Sequence, residues 1–498
     1  MLQEISSNEN LPLLPYEFAK SVRVIAFHFD SELLVHSEKK LSLFLYSELS
    51  RYLLKPFKVN LCSSIDFDQL LTKHYSLGEN ESAINAELSE NFDLQSFANT
   101  LAPTEDLLSG ANDAPIIKLI NGVISQAIKS RASDIHFEPY ETNFIVRYRI
   151  DGILQEVLLQ DARLSAPIIS RLKIISRLDI AERRKPQDGR VSLSLGSKKV
   201  DVRVSTLPSS YGERVVLRLL DKQSSQINIE DLGLPDSILA TYQQALKFPE
   251  GIILVTGPTG SGKTTTLYAG LQHVSDASQN ILTVEDPIEY TLPGIGQTQV
   301  NPKAGYDFAS GLRSILRQDP DIVMVGEIRD IETAKIAIQA SLTGHLVLST
   351  VHTNSAIGAI ARLRDMGIES YLLASSLRLV IAQRLVRRLC QKCKIPIDIS
   401  TPIQEKFNLP AGTVIFQAVG CSDCNNSGFK GRVALTEAIT INHELKKLIH
   451  DDSSEAELTK QAFKNTASIQ SSSTELLLEG ITTFEELLRL QNTNDVEL

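Results

Sequence analysis

Residues 251–266, GIILVTGPTGSGKTTT, confine the chain to a narrow set of folds. A short apolar run enters a loop that satisfies G-x-x-x-x-G-K-[ST] through Gly257, Gly262, Lys263 and Thr264, and a helix-compatible stretch follows. That order lets backbone N–H groups wrap a phosphate, because a helix N-terminus offers unpaired donors and a partial positive charge. Gly260 and Gly262 permit close approach and unusual backbone angles, and Pro258, Thr259, Ser261 and Thr265 complete the cradle. In this pattern Lys263 reaches the β/γ-phosphates and the Thr264 hydroxyl serves Mg²⁺, so ATP with Mg²⁺ is the expected ligand pair. A Gly-rich surface loop without a ligand is the alternative, and the flanking strand and helix argue against it.

At 498 residues the chain is too long for one ordinary core, and about 150 residues per domain predicts several units. A hydrophobic content of 42% with 22% charged residues describes a soluble globular protein. No run of about 18 apolar residues is present to span a bilayer, and the opening MLQEISSNENLPLLPYEF lacks the basic-then-apolar order of a secretory signal. A cytoplasmic location is expected. A net charge of −10 argues against a protein that coats nucleic acid.

Organisation shows in shifts of composition. Residues 1–78 carry short apolar patches such as VRVIAF and LSLFLY, whereas 79–112 are polar and acidic and read as a linker with one weak helix. From Asp113, APIIKLINGVISQAIKS has helical spacing, and FIVRYRI and ILQEVLL alternate as strands, giving an α+β unit to residue 228. Next come apolar runs that each end in polar residues, ILTVEDPIEY, DIVMVGEIRD and GHLVLSTVHT, as expected of an α/β unit with a parallel sheet and its active site at the strand ends.

Three clusters fall at those ends. Glu285, Asp286 and Glu289 can orient water or hold Mg²⁺, the alternative being a solvated acidic turn. In VMVGEIRD, Gly326 and Glu327 stand where a common second NTPase motif has Asp, and Glu327 suits either a general base or a ligand of metal-bound water. His345 and His352 flank a strand, and ordinary core or surface histidines are the alternative.

Five cysteines do not make a disulfide scaffold in so long a chain. Four of them, Cys390, Cys393, Cys421 and Cys424, form C-x2-C-x27-C-x2-C, which suits a tetrahedral, structural Zn²⁺ site with no open position; a redox dithiol is the alternative. Cys62 reads as a small buried apolar residue. Residues 171–220 hold twelve Lys/Arg against five acids, an excess of seven. With only Tyr211 to stack on bases, anionic phospholipid or nucleotide fits that surface better than nucleic acid, and a solvated face is the alternative.

GPTGSGKT (257–264), EDPIE (285–289), VGEIRD (325–330) and GHLVLSTVHTN (344–354) resemble the phosphate loop, Asp box, Walker B and His box of the ATPases that drive type II secretion and type IV pili. SDIHFEP (133–139), DGR (188–190), VDVRVST (200–206) and GERVVLRLL (212–220) resemble the regulatory domain of that family. The four-cysteine insertion and the LPYEFAK opening make the chain most similar to the general secretion pathway protein E branch, with a pilus-assembly ATPase as runner-up. The resemblance implies a RecA-like ATPase domain (229–389), a preceding PAS-like regulatory domain (113–228), a small N-terminal docking domain (1–78), a zinc insertion (390–432) and a helical C-terminal part (433–498). It further implies a homohexamer, peripheral attachment to the inner membrane through platform proteins, and a motor for pseudopilus assembly. Implied site residues are Lys263, Glu289 and Glu327, the nucleotide contact His345, and arginines that neutralise transition-state charge, Arg203 and Arg218 with Arg190; Arg313, Arg317 and Arg329 fall in family-like positions.

Overall fold

The computed structural model describes residues 13–14, 18–19, 22–29, 32–63, 66–67, 70, 94–100, 114–195, 198–221, 227–276, 278–399, 401–407, 409–410, 412–464 and 466–492. The chain divides into two compact units, 1–149 with 154–220, and 150–153 with 221–498.

In the first unit, β1 (Val24–Phe29), β2 (Glu32–Ser37) and β3 (Lys58–Leu61) make a three-stranded sheet in that order. The β1/β2 pair is antiparallel, but β2 and β3 are parallel and so need a crossover. Helix α1 (Leu43–Leu53) supplies it, started by Ser42, whose side chain accepts from the Leu45 amide. Of the acidic stretch 79–112, only α2 (Leu94–Thr100) is among the described residues, and most of LPYEFAK lies outside them.

The segment APIIKLINGVISQAIK folds as α3 (Ala114–Lys129), burying Ile116, Leu119, Ile120, Val123 and Ile124 on one face. The strands that follow are β4 (Ala132–Pro139), β5 (Asn143–Ile150), β6 (Ile153–Asp161), β7 (Gln187–Leu195), β8 (Lys198–Ser209) and β9 (Gly212–Asp221). They form a six-stranded sheet ordered β6-β5-β4-β9-β8-β7, accompanied by α3 and by α4 (Ser165–Ile175). The cationic excess read from 171–220 is partly neutralised inside this unit. Buried Lys173 donates to Glu213 Oε1 and to the Glu182 carbonyl, both at 2.7 Å. Arg218 Nε donates to Asp134 at 3.0 Å, and Arg147 and Arg214 both reach the buried Glu138.

The second unit contributes β10 (Gly251–Thr256), β11 (Ile281–Glu285), β12 (Gly296–Gln299), β13 (Ile322–Val325), β14 (Leu346–Val351) and β15 (Leu377–Leu389). After them come the short antiparallel pair β16 (Ile395–Asp398) and β17 (Val414–Gln417), and then β18 (Phe429–Thr440). The main sheet is ordered β12-β11-β13-β14-β10-β15-β18. All its pairs are parallel except β15 with β18. Every residue of β10, β13 and β14 is buried, as near-continuous apolar strands covered on both faces must be. On one face α5 (Lys263–Val274) packs through Leu267 and Tyr268, and on the other lie α6 (Phe308–Ile315), α7 (Ile331–Leu342) and α8 (Ala356–Asp365).

One expectation differs from the structure. Residues 433–498 do not begin as helix: β18 runs to Thr440, pairing Leu379 with Thr440 and Arg387 with Arg432 along β15. Ala434–Ile439 are all buried, so an interior strand fits them better than an amphipathic helix would. Residues 390–428 are an excursion between these two strands, and β16 and β17 lie within it. Buried Glu437 on β18 accepts from the Ala356 amide at 2.8 Å and the Ile469 amide at 2.9 Å, capping both α8 and α9 (Ile469–Leu478). A carboxylate there meets the positive ends of two helices.

Candidate active site

The phosphate loop leaves β10 after Thr256, whose hydroxyl lies 2.7 Å from that of Thr353 beyond β14. Gly257 has φ +146°, and a Cβ there would sit 2.2 Å from the Gln383 carbonyl oxygen on β15; at Gly262 (φ +88°) it would sit 2.8 Å from Gln383 Nε2. Gln383 also accepts from the Thr266 hydroxyl at 2.7 Å, so this residue backs the loop on one side. Pro258, Thr259 and Gly260 form the apex, Ser261 is buried, Thr264 is exposed on the first turn of α5 and Thr265 is half-buried. Lys263 folds back over the loop and donates to the carbonyls of Gly257 at 2.8 Å and Pro258 at 3.1 Å. Burial lowers its pKa, against the opposing charge of Glu327.

Glu327 follows β13 and is held on both oxygens, by Arg329 and by His352 Nε2 at 3.1 Å. Its segment is laced to β14: Ile328 N donates to Thr350 O, and the Thr350 hydroxyl to Gly326 O. A Cβ at Gly326 would lie 3.4 Å from both Phe308 Cε1 and Val284 O, which leaves the carboxylate to the next position. The three sequence-derived groups Lys263, Glu327 and the end of the His-box strand thus meet at one edge of the sheet.

His345 does not join them. It precedes β14, its Nδ1 lies 3.0 Å from Ala340 O, and its carbonyl accepts from Gly251 N at the start of β10. A six-residue strand spans roughly 20 Å, so its nucleotide role is withdrawn in favour of His352 at the other end. The acids of EDPIE also separate. Glu285 is buried and saturated by Thr283, Tyr268 and Gln297, whereas Glu289 is half-buried and Asp286 exposed. Arg313 pairs with Glu332 and Arg317 donates to Arg313 O, which makes both of them braces of α6. Arg203 and Arg218 lie in the first unit, where Arg203 is half-buried opposite Arg190 in the β7/β8 ladder and Arg218 is held by Asp134.

The four cysteines converge. Sγ–Sγ separations are 3.8 Å for Cys390/Cys421, 3.8 Å for Cys393/Cys424 and 3.7 Å for Cys421/Cys424. Four thiolates at about 2.3 Å from a tetrahedral Zn²⁺ lie about 3.8 Å apart, so the sulfurs present fit such an ion. Backbone N–H groups point at them, Gly420 to Cys393 at 3.3 Å, Cys421 to Cys424 at 3.1 Å and Gly428 to Cys424 at 3.2 Å. Burial opposes ionisation of Cys424, but the amides of Cys421 and Gly428 outweigh it and its pKa falls to about 6.

Sequence reasoning did not find Gln383 and passed over His352 and Thr353 as site residues. Gln383 is about 120 residues from the loop in sequence, and only the placement of β15 beside β10 brings it there.

A phosphate loop at the end of a parallel strand, with an acid held at the end of a strand in the same sheet, defines a P-loop nucleoside triphosphatase. Residues 109–489 match the family described as Type II/IV secretion system protein, and residues 13–75 match the domain described at the N-terminus of GSPII protein E. The chain is 48% identical to the type II secretion system protein E of Pseudomonas aeruginosa, covering 96% of each chain. It is 46% identical to the type II secretion system ATPase E of Vibrio cholerae, over 97% of this chain and 98% of that one. Among solved structures it shares its fold with the DotB ATPase of Legionella pneumophila (TM-score 0.57, 21% identity, 75% of this chain and 95% of that one). The pilus retraction motor PilT with bound ADP is likewise similar (TM-score 0.53, 25% identity, 74% and 95%). The chain belongs to the type II secretion system protein E family of secretion ATPases.

The two loop glycines separate steric from conformational need. Gly257→Ala is expected to weaken binding of a fluorescent ADP analogue by roughly tenfold or more, or about 1.4 kcal/mol, since its methyl meets backbone. Gly260→Ala, whose Cβ would enter open space, adds only left-handed strain of about 1–2 kcal/mol. Equal affinities for Gly257→Ala and wild type would refute the packing argument.

Proposed function

We propose that this chain is the motor of a type II secretion apparatus, a Mg²⁺-dependent ATPase working as a homohexamer that drives pseudopilus assembly. The observation that carries the reading is the meeting of Lys263 with the Arg329–Glu327–His352 group at one sheet edge. In this reading Lys263 releases the two loop carbonyls and turns to the β/γ-phosphates, while the amides of the loop and first turn of α5 cradle the remaining oxygens. Mg²⁺, held through Thr264, would neutralise charge on the β- and γ-phosphate oxygens. Glu327 orients and deprotonates the attacking water, with His352 and Arg329 fixing its carboxylate, and Glu289 supports it. Water attacks the γ-phosphorus, the bond to ADP breaks, and ADP, phosphate and a proton leave. We assign Arg203 and Arg218 the neutralisation of transition-state charge, which suits their bidentate guanidinium groups.

The domains follow from the same reading: docking domain 1–78, linker 79–112, regulatory domain 113–228, ATPase domain 229–389 completed by 433–498, and zinc module 390–432. The match of residues 13–75 to the N-terminal domain of GSPII protein E supports the secretion branch over pilus extension. Among the described residues no helix is long and apolar enough to cross a membrane, so attachment to the inner membrane is assigned to partners of the N-terminal domain.

Lys263→Ala is expected to abolish ATP hydrolysis, and Glu327→Gln to bind ATP while losing roughly 100-fold or more in turnover. Hydrolysis above about a tenth of wild type in either variant would remove the role assigned to it.

The cysteine cluster is proposed to hold structural zinc. Elemental analysis of protein purified without chelator should give about one zinc per chain, lost on replacing Cys390 and Cys424 by Ser. Metal-free wild-type protein would end the zinc reading.

Removal of residues 1–100 should leave basal hydrolysis measurable but release the protein from inner-membrane fractions. Sedimentation of the truncated chain with membranes in wild-type amounts would place the attachment elsewhere.

A further inference from the structure

Gln297 lies on the edge strand β12, in register with Thr283 of β11, and its amide groups are fully engaged. Its Oε1 accepts from the Leu292 amide at 2.7 Å. Its Nε2 donates to Glu285 Oε1 at 3.0 Å and to the Tyr290 carbonyl at 3.1 Å, and lies 3.4 Å from the Tyr268 hydroxyl. Tyr268 is fully buried on α5, the helix that begins at Lys263, and donates to the other oxygen of Glu285. Tyr290 stacks edge-on against Tyr268, with ring centroids 4.7 Å apart. One side chain therefore joins the helix of the phosphate loop to both ends of the segment 285–292, within which Asp286 and Glu289 stand. A primary amide is the side chain that offers two donors and an acceptor in one plane without charge. A carboxylate in its place would face Glu285, and an apolar chain of equal length would leave three backbone and carboxylate groups unpaired.

We propose that Gln297 is a positioning residue for ATP hydrolysis, fixing the Asp286–Glu289 segment in register with Lys263 through Glu285 and Tyr268. The proposal rests on the ATPase reading above and on the role assigned there to Glu289. Gln297 touches no reacting atom, so it acts on how Glu289 is presented and leaves phosphate binding to the loop.

The experiment compares the full-length wild type with Gln297→Met, Gln297→Glu and Lys263→Ala. It measures steady-state ATP hydrolysis, the number of ADP-analogue sites per chain with their Kd, and thermal melting. Gln297→Met should lose roughly tenfold or more in kcat while KM and analogue Kd stay within about twofold and the sites remain fully titratable. Gln297→Glu places a carboxyl against Glu285 and the hydroxyls of Tyr268 and Tyr290. Such a pair shares a proton at lower pH, which restores one donor, and loses it as pH rises. The ratio of its kcat to that of wild type should therefore be higher at about pH 6 than at about pH 8. A wild-type kcat in Gln297→Met overturns the proposal. So does a loss of kcat matched by an equal loss of titratable sites, which marks plain unfolding, or a pH-independent ratio for Gln297→Glu. Wild-type turnover no greater than that of Lys263→Ala would instead overturn the ATPase reading and this role with it.

Discussion

The phosphate loop is held from both sides by strands that are its neighbours in space. Glycine permits the loop its backbone angles but contributes no contacts of its own, so the shape must be imposed by what surrounds it. Gln383 on β15 fills the space that side chains at Gly257 and Gly262 would need, and Thr353 beyond β14 ties down Thr256 where the loop departs. Both neighbours depend on the strand order β14-β10-β15, which in turn depends on apolar strands with helices on both faces. The ionic part of the site is layered on this scaffold. Arg329 and His352 keep Glu327 oriented, and Lys263 rests on loop carbonyls that a phosphate would replace as its partner.

How much of this could be read from the residues follows the distance in sequence over which each contact forms. The phosphate loop was legible because eight consecutive residues carry the whole constraint. The cysteine cluster was legible because each half is a local C-x2-C turn, and the sulfurs meet at the separation a tetrahedral ion requires. The helix over 114–129 and the strands at 144–150, 281–285 and 346–351 declared themselves by periodicity or by unbroken apolar runs.

What escaped was polarity along a strand and coupling across the sheet. His345 and His352 look equivalent in sequence, but a strand separates them and only its C-terminal end reaches the loop. EDPIE reads as one acidic cluster, yet Glu285 faces inward to Tyr268, Thr283 and Gln297 while Asp286 turns outward, because successive residues leaving a strand point to opposite sides. Glu437 gave no sign of its task. Its two partners, the amides of Ala356 and Ile469, are far away along the chain, and nothing local distinguishes a helix-capping carboxylate in a strand from a surface one.

The pairing of β15 with β18 also bears on how such a chain is made. A ribosome delivers Leu377–Leu389 well before Phe429–Thr440, and everything between them, including all four cysteines, must emerge first. Until then the nascent sheet presents β15 as an open edge, with unpaired backbone donors and acceptors that invite association with other chains. The α8 end that Glu437 caps waits for the same event. Capture of an ion by two adjacent knuckles would draw the ends of the excursion together and shorten the loop whose closure brings β18 to its place. Biogenesis of the nucleotide-binding core is in this way tied to metal supply during translation, even though the cysteines take no part in its chemistry.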